Sequence, residues 1–334
     1  MRGVHLEADV DRRGRSLGWL RAEWSNDRSG YGTVATPVVV IGNGPGPTLL
    51  LIAGTHGDEY EGQVALARLA RALDPARLRG RVLLLPALNR MAVQAGARLS
   101  PVDRGNLNRL FGVGAQTPTG LLATFLEREL IPLADAVLDL HSGGRSMRYV
   151  PSVFVQDAAE AALWQRTRGI VAAFGAPWCF VKPKDPSETT MLGACGRAGV
   201  AYLSTELGGG ERLDPVLLAL AEAGCMRVAA ALGMMQPPEG RGETVRWLSV
   251  PGESHYVYAP CGGVFQAEAA LGAEVGRGDC VGLVHTPEDP LREPVPVHFR
   301  QDGVFVCRRT TARVEPGDCL GHLGVALPDI KGSG

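Results

Sequence analysis

TLLLIAGTHGDEYEG, residues 48–62, is the stretch that decides the fold. It opens as a short apolar run, Leu49 to Ala53, with Gly and Pro on its N-terminal side, which predicts a strand buried on both faces. The run stops at Gly54 and delivers His56, Asp58 and Glu59 within four residues. From Glu61 to Leu73, apolar residues at Val64, Leu66, Ala67, Leu69 and Leu73, with Arg68 and Arg71 between them, predict a helix. An imidazole and a carboxylate three residues apart at a strand-to-helix turn can point at one spot above a sheet edge, where open α/β folds place their chemistry.

Working outward, the same kind of run recurs. Thr36 to Ile41 reads as a strand with GNGPGP (42–47) as its turn, RVLLLPALN (81–89) as a second buried strand, and ADAVLDLHSGG (134–144) as a third that ends in polar residues and glycines. Residues 90–111 read as irregular and rich in Arg and Asn, and Thr119 to Leu133 as helical. VFVQ (153–156), a helix near 158–174, VAYLSTELGGG (200–210) and a Leu/Ala-rich helix from Pro215 to Leu232 continue the alternation. Residues 1–35 show little periodicity and are assigned only as an N-terminal extension. The catalytic unit is expected over 36–236. MMQPPEGRGE (234–243) breaks the pattern, and 244–330 is expected to be a small β-sandwich. There GGVF (262–265) recurs as DGVF (302–305), and RGDC-VGLV (277–284) as PGDC-LGHL (316–323), which suggests two similar halves closing one module. That module resembles the lipoyl or biotinyl carrier type. The only lysine after Lys184 is Lys331, so a modified carrier is not expected.

Composition narrows the class. The 334 residues are 45% hydrophobic and 21% charged with a formal net charge of −1, which gives no electrostatic case for nucleic acid or an anionic membrane. The charged start lacks the apolar core of a signal peptide, and no apolar run is long enough to span a bilayer. Seven scattered cysteines without a CxxC pair predict reduced thiols in a cytoplasmic protein. The sequence leaves the oligomeric state open.

His56 and Glu59, His141, and Glu206 each lie where a buried strand gives way to a glycine-containing loop, so all can converge on one sheet edge. Two imidazoles and a carboxylate make a three-ligand zinc site with an open position. Asp139, two residues before His141, faces the same way along its strand and is placed to orient that imidazole. Glu206 is left as a free carboxylate able to take a proton from the attacking water. Taken singly, HxxE is a weak motif, a strand-end histidine is usually satisfied by backbone, and a lone glutamate is usually in a salt bridge; the shared placement favours the joint reading. Asn108 and Arg109, with Arg98 upstream, supply groups to hold a carboxylate and polarise an amide oxygen, whereas Arg104 reads as part of a solvated loop. His5, His255, His285, His298 and His322 read as surface or structural.

GTHGDEYEG, NLNR, DLHSGG and TELGG, in this order, resemble the succinylglutamate desuccinylase/aspartoacylase family of zinc hydrolases, akin to metallocarboxypeptidases, over about residues 45–235. Within the family, the likeness leans toward members that deacetylate N-alpha-acetyl-L-2,4-diaminobutyrate in ectoine breakdown. The resemblance implies one zinc per chain on His56, Glu59 and His141, Glu206 as catalytic carboxylate, Asn108 and Arg109 on the substrate carboxylate, and Arg98 on the oxyanion. SGG follows His141 where aspartoacylases carry a more polar Asn-Thr-Thr, a departure that weakens N-acetylaspartate as substrate. A succinyl group would call on Arg145 and Arg148, a diaminobutyrate ammonium on Asp185 or Glu188, and charge alone does not settle which. The expected protein is α/β: a carboxypeptidase-like mixed sheet flanked by helices with a C-terminal β-sandwich, hydrolysing a small N-acyl amino acid. Its rivals are a true carboxypeptidase and a non-catalytic binding protein.

Overall fold

Thr48–Ala53, Ala136–Leu140 and Ala201–Glu206 lie side by side as parallel strands, with Leu51 opposite Leu138 and Leu138 opposite Leu203. This is a computed structural model, and it describes residues 3–27, 29–158, 160–240 and 242–327. Side chains alternate across these strands. Leu49, Leu51 and Ala53 pack with helices Tyr60–Ala72, Ala161–Phe174 and Pro215–Ala231, while Leu50 and Ile52 pack on the opposite face with Pro118–Phe125 and Met191–Ala198. Leu49 to Ile52 are 0–1% exposed, and each such side chain contributes about 1.5–3 kcal/mol by leaving water. Covered faces are why these runs are apolar without a break.

On one side the sheet continues through Gly80–Leu85, parallel to Thr48–Ala53, and then through a long antiparallel hairpin, Gly14–Asn26 with Ser29–Asn43. The residues assigned only as an N-terminal extension, 1–35, thus contribute strands to the main sheet, and the expected boundary at residue 36 falls inside one of them. The signal was weak because the hairpin buries small residues on one face. Leu20 and Ala22 are enclosed while Arg21 points out to Glu7, and a Cβ on Gly18 would fall 2.7 Å from Ala8. The stretch 90–111 likewise holds a short helix, Arg90–Ala95, and a 3-10 turn, Leu107–Arg109.

On the other side come Ser152–Gln156, Trp178–Lys182 and then Arg246–Ser249, which pairs parallel with Trp178–Lys182 and antiparallel with Cys319–Ala326. The chain after the Pro/Gly break at 234–243 thus re-enters the main sheet before forming its own, and among the described residues that sheet has fifteen strands, two of them off its linear path. The two repeats are interleaved. Gly263–Ala267 pairs with Cys280–His285 as Gly303–Arg309 pairs with Cys319–Ala326. The short strands cross over: Arg313–Val314 adds to Gly263–Ala267, and Glu274–Val275 to Gly303–Arg309. Phe265, Val281, Val284, Phe305, Leu320 and Leu323 fill the space between. Lys331 and the expected end at 330 lie outside the described residues. Among the described residues, no helix is long and apolar enough to cross a membrane.

Candidate metal centre

The turn after Thr48–Ala53 is built on two glycines that nothing larger could replace. Gly54 has φ +71°, and a Cβ there would lie 2.8 Å from Val93 Cγ2; a Cβ on Gly57 would meet the Ala92 carbonyl oxygen at 1.9 Å. This close approach holds His56 over the sheet edge. Glu59 occupies the N-cap of Tyr60–Ala72 yet makes no side-chain capping bond. Its carboxylate is committed elsewhere: Oε1 is 2.7 Å from His56 Nδ1, and Oε2 is 2.7 Å from His141 Nδ1. The sheet register carries His141 there, because Ala53 and Leu140 are paired residues of adjacent parallel strands.

The outer ring nitrogens have partners of their own. His141 Nε2 lies 2.7 Å from Asp139 Oδ2, and His56 Nε2 lies 3.1 Å from Asn106 Oδ1. Asp139 is 0% exposed and is itself held by the Thr55 hydroxyl at 3.0 Å and more weakly by Tyr202 at 3.4 Å. Oδ1 of Asn106 also accepts the Asn108 N–H. An imidazole that gives its Nε2 proton to Asp139 or Asn106 turns a bare Nδ1 lone pair toward the carboxylate. Two acceptors 2.7 Å apart need a cation bridging them, a proton or a metal ion. Without the metal, protons take that place. Burial works to raise the pKa of Glu59, but the imidazoles of His56 and His141 overcome it and hold the carboxyl well below its usual range. Burial works against a charged His141, and Asp139 and Glu59 outweigh it, pushing its pKa well up. Two nitrogens and one carboxylate oxygen within 4.8 Å of one another are a donor set that fits zinc.

Beside them, Ala201–Glu206 ends at Glu206, whose Oε2 is buried without a hydrogen-bond partner among the described residues. Burial first, and the nearby Glu59 second, push its pKa well above the carboxylate range, against the pull of His141 and Arg98. A carboxyl with raised proton affinity at such a place can accept and release a proton. Arg98 reaches in from a half-exposed position, its Nη1 3.4 Å from His56 Nδ1 and 3.5 Å from Glu59 Oε1. Asn108 Oδ1 accepts the Met191 N–H at 2.9 Å, which leaves its amide N–H groups unspent among the described residues, and Arg109 Nη1 donates to the Asn108 carbonyl.

His56, Glu59, His141, Glu206, Arg98, Asn108 and Arg109 all line one cavity of about 430 Å³, with Asp139 behind His141. Arg104 is exposed and does not line it. Asp185 is exposed, accepting from Ser187, whereas Glu188 lines the cavity and pairs with Lys182 at 3.0 Å. Arg145 and Arg148 are engaged by Glu211 and Asp214 and do not line the cavity.

The far wall was not foreseen. It consists of Tyr149, Phe154, Phe180, Val250, Tyr256 and His322. His322 is not a surface residue: it is 3% exposed, packed against Tyr149, Phe180 and Tyr256, with Nε2 3.3 Å from the Tyr149 hydroxyl. Burial lowers its pKa to about 4, so it stands neutral. Asn106 is a further functional residue whose signal lies in the sequence, since it opens NLNR two residues before Asn108.

The family model described as the succinylglutamate desuccinylase/aspartoacylase catalytic domain matches residues 45–232. The chain is 36% identical over 332 residues to the N-alpha-acetyl-L-2,4-diaminobutyric acid deacetylase of Halomonas elongata, covering 98% of this chain and 95% of that one. A crystal structure of a succinylglutamate desuccinylase/aspartoacylase from Rhodobacter sphaeroides superposes with a TM-score of 0.90 at 36% identity, covering 98% and 100% of the two chains. The product-bound structure of the ectoine utilization protein EutE (DoeB) from Ruegeria pomeroyi superposes with a TM-score of 0.92 at 34% identity, covering 97% and 99%. With its strand-end residues gathered in one cavity and these likenesses running through almost its whole length, the chain belongs to the succinylglutamate desuccinylase/aspartoacylase family, a hydrolase among hydrolases.

Proposed function

We propose that this chain is a zinc-dependent deacetylase of N-alpha-acetyl-L-2,4-diaminobutyrate, serving ectoine breakdown. The observation that carries the chemistry is the buried His56–Glu59–His141 cluster with Glu206 beside it in one cavity, its Oε2 unpartnered among the described residues. The near full-length likeness to the Halomonas elongata deacetylase supports the substrate.

His56, Glu59 and His141 would hold the zinc, which when bound supplies a Lewis acid that makes water acidic and polarises the acyl carbonyl. Asp139 and Asn106 keep the two imidazoles turned toward it. Glu206 takes a proton from the attacking water and passes it to the leaving amine. Arg98 stands where charge develops on the acyl oxygen. Arg109 and the free amide of Asn108 bind the alpha-carboxylate. Glu188, released from Lys182, meets the side-chain ammonium. Arg145 and Arg148 are already paired outside the cavity, so neither is offered to a second carboxylate on a succinyl group. That favours acetyl. A peptide substrate would need an open groove, whereas Val250, Tyr256 and His322 line the same cavity as the candidate metal ligands.

The test is kcat/KM for N-alpha-acetyl-L-2,4-diaminobutyrate, N-acetylaspartate and succinylglutamate on one preparation. The first should lead by at least about tenfold, or about 1.4 kcal/mol of transition-state binding. A tenfold lead for succinylglutamate would overturn the assignment.

A further inference from the structure

A second cleft, of about 410 Å³, lies on the other face of the strand that supplies Tyr149 to the cavity wall. Met147–Tyr149 pairs antiparallel with Gly303–Arg309, placing Tyr149 opposite Cys307 and Arg148 opposite Arg308. Alternation along the pair sends Tyr149 to the metal cavity and Arg148 and Arg308 into the second cleft. Like charges directly opposite one another on a sheet are destabilising, and here Arg212 and Arg309 join them around the same space.

The carboxylates nearby neutralise only part of this group. Arg309 is spent on the chain itself, bonding Asp318 at 2.9 Å and the carbonyls of Thr311 and Arg313. Arg148 pairs with Asp214 at 3.5 Å. Among the described residues Arg212 makes no ion pair, and none of the residues lining the cleft is acidic. Arg308 Nε and the Thr311 hydroxyl are buried and have no hydrogen-bond partner among the described residues. Orphaned buried donors are costly and mark a place where a ligand group belongs.

We infer that this cleft is a binding site for a small polyanion, a molecule of metabolite size carrying two or more phosphate or carboxylate groups. Guanidinium forks match both anions bidentately. The concave form and modest volume suit a small molecule. Arg308 and Arg212 are its anion-binding groups, Arg148 being paired with Asp214, and the Thr311 hydroxyl adds a neutral bond.

The test is calorimetric titration of the full-length, zinc-loaded protein at fixed ionic strength, with fructose 1,6-bisphosphate as the phosphate probe and tricarballylate as the carboxylate probe. At least one should bind at one site per chain, and the tighter of the two identifies the anion chemistry. Arg308→Gln and the exposed Arg212→Gln should each weaken that binding by about tenfold or more. Arg109→Gln, in the metal cavity, should leave it unchanged. Arg212→Gln should keep the melting temperature and the basal hydrolysis rate, so a loss of binding there is not a loss of fold. No binding of either probe, undiminished binding in both cleft variants, or loss of binding in Arg109→Gln would overturn the proposal.

Discussion

Two buried histidines line the main cavity, and their pKa values move in opposite directions. His141 sits at the end of a parallel strand with Asp139 on one nitrogen and Glu59 on the other, and these carboxylates push its pKa well up despite desolvation. His322 comes from the C-terminal repeats, is as deeply enclosed, and meets aromatic rings and a tyrosine hydroxyl; its pKa falls to about 4. One wall of the cavity concentrates charge and the other excludes it. The difference lies in the partners placed around each ring, not in depth of burial.

The strongest way to break the contrast is to cut into the charged wall. His56→Ala and His141→Ala each leave two of three ligands, and zinc in the purified variants should fall below about a tenth of an equivalent per chain, with hydrolysis lost alongside it. Elemental analysis decides this, and full occupancy in both variants would refute the ligand assignment. Asp139→Asn keeps the shape but weakens the hold on His141; zinc affinity, measured by competition with a chelator, should drop about 10–100-fold.

His322 sharpens the comparison from the neutral side. Its folded pKa of about 4 lies below the ordinary 6.5, so the unfolded chain gains the proton first as pH falls. The stability associated with this residue is complete above pH 6.5 and is lost on the way down to about 4. Between pH 7 and pH 5 the loss is about 2 kcal/mol. His322→Phe should remove that component, narrowing the gap in unfolding free energy between the two pH values. An unchanged gap would mean that His322 is charged in the fold. The smallest effect is expected of Tyr149→Phe, which deletes one hydrogen bond to His322 and should cost about 1 kcal/mol in denaturant unfolding.

The charged wall was legible in the sequence because its residues sit at fixed positions relative to strong local signals. His56, His141 and Glu206 each follow an apolar run and precede glycines, and Asp139 falls two residues before His141, on the same face of its strand. Parallel neighbours with both faces covered announce themselves by unbroken Leu, Val and Ile. The neutral wall had no such local mark. Tyr256 and His322 reach the cavity only because the interleaved repeats pair Tyr256 with His322 and Met147–Tyr149 with Gly303–Arg309, a long-range register that no spacing of apolar residues encodes. The N-terminal hairpin was missed for a related reason: Gly18 and Ala22 satisfy tight packing with little hydrophobicity. The repeats themselves were readable as strands and turns. Their continuity with the main sheet through Arg246–Ser249 was not, since that strand follows a Pro/Gly break and is only four residues long.

The most direct test of the central account is Glu206→Gln, with zinc content and turnover measured on the same preparation. If the buried cluster holds the metal and Glu206 moves the proton, the variant should keep about one zinc per chain while kcat falls by roughly 10²–10⁴. Turnover close to that of the unaltered protein, with zinc retained, would contradict it.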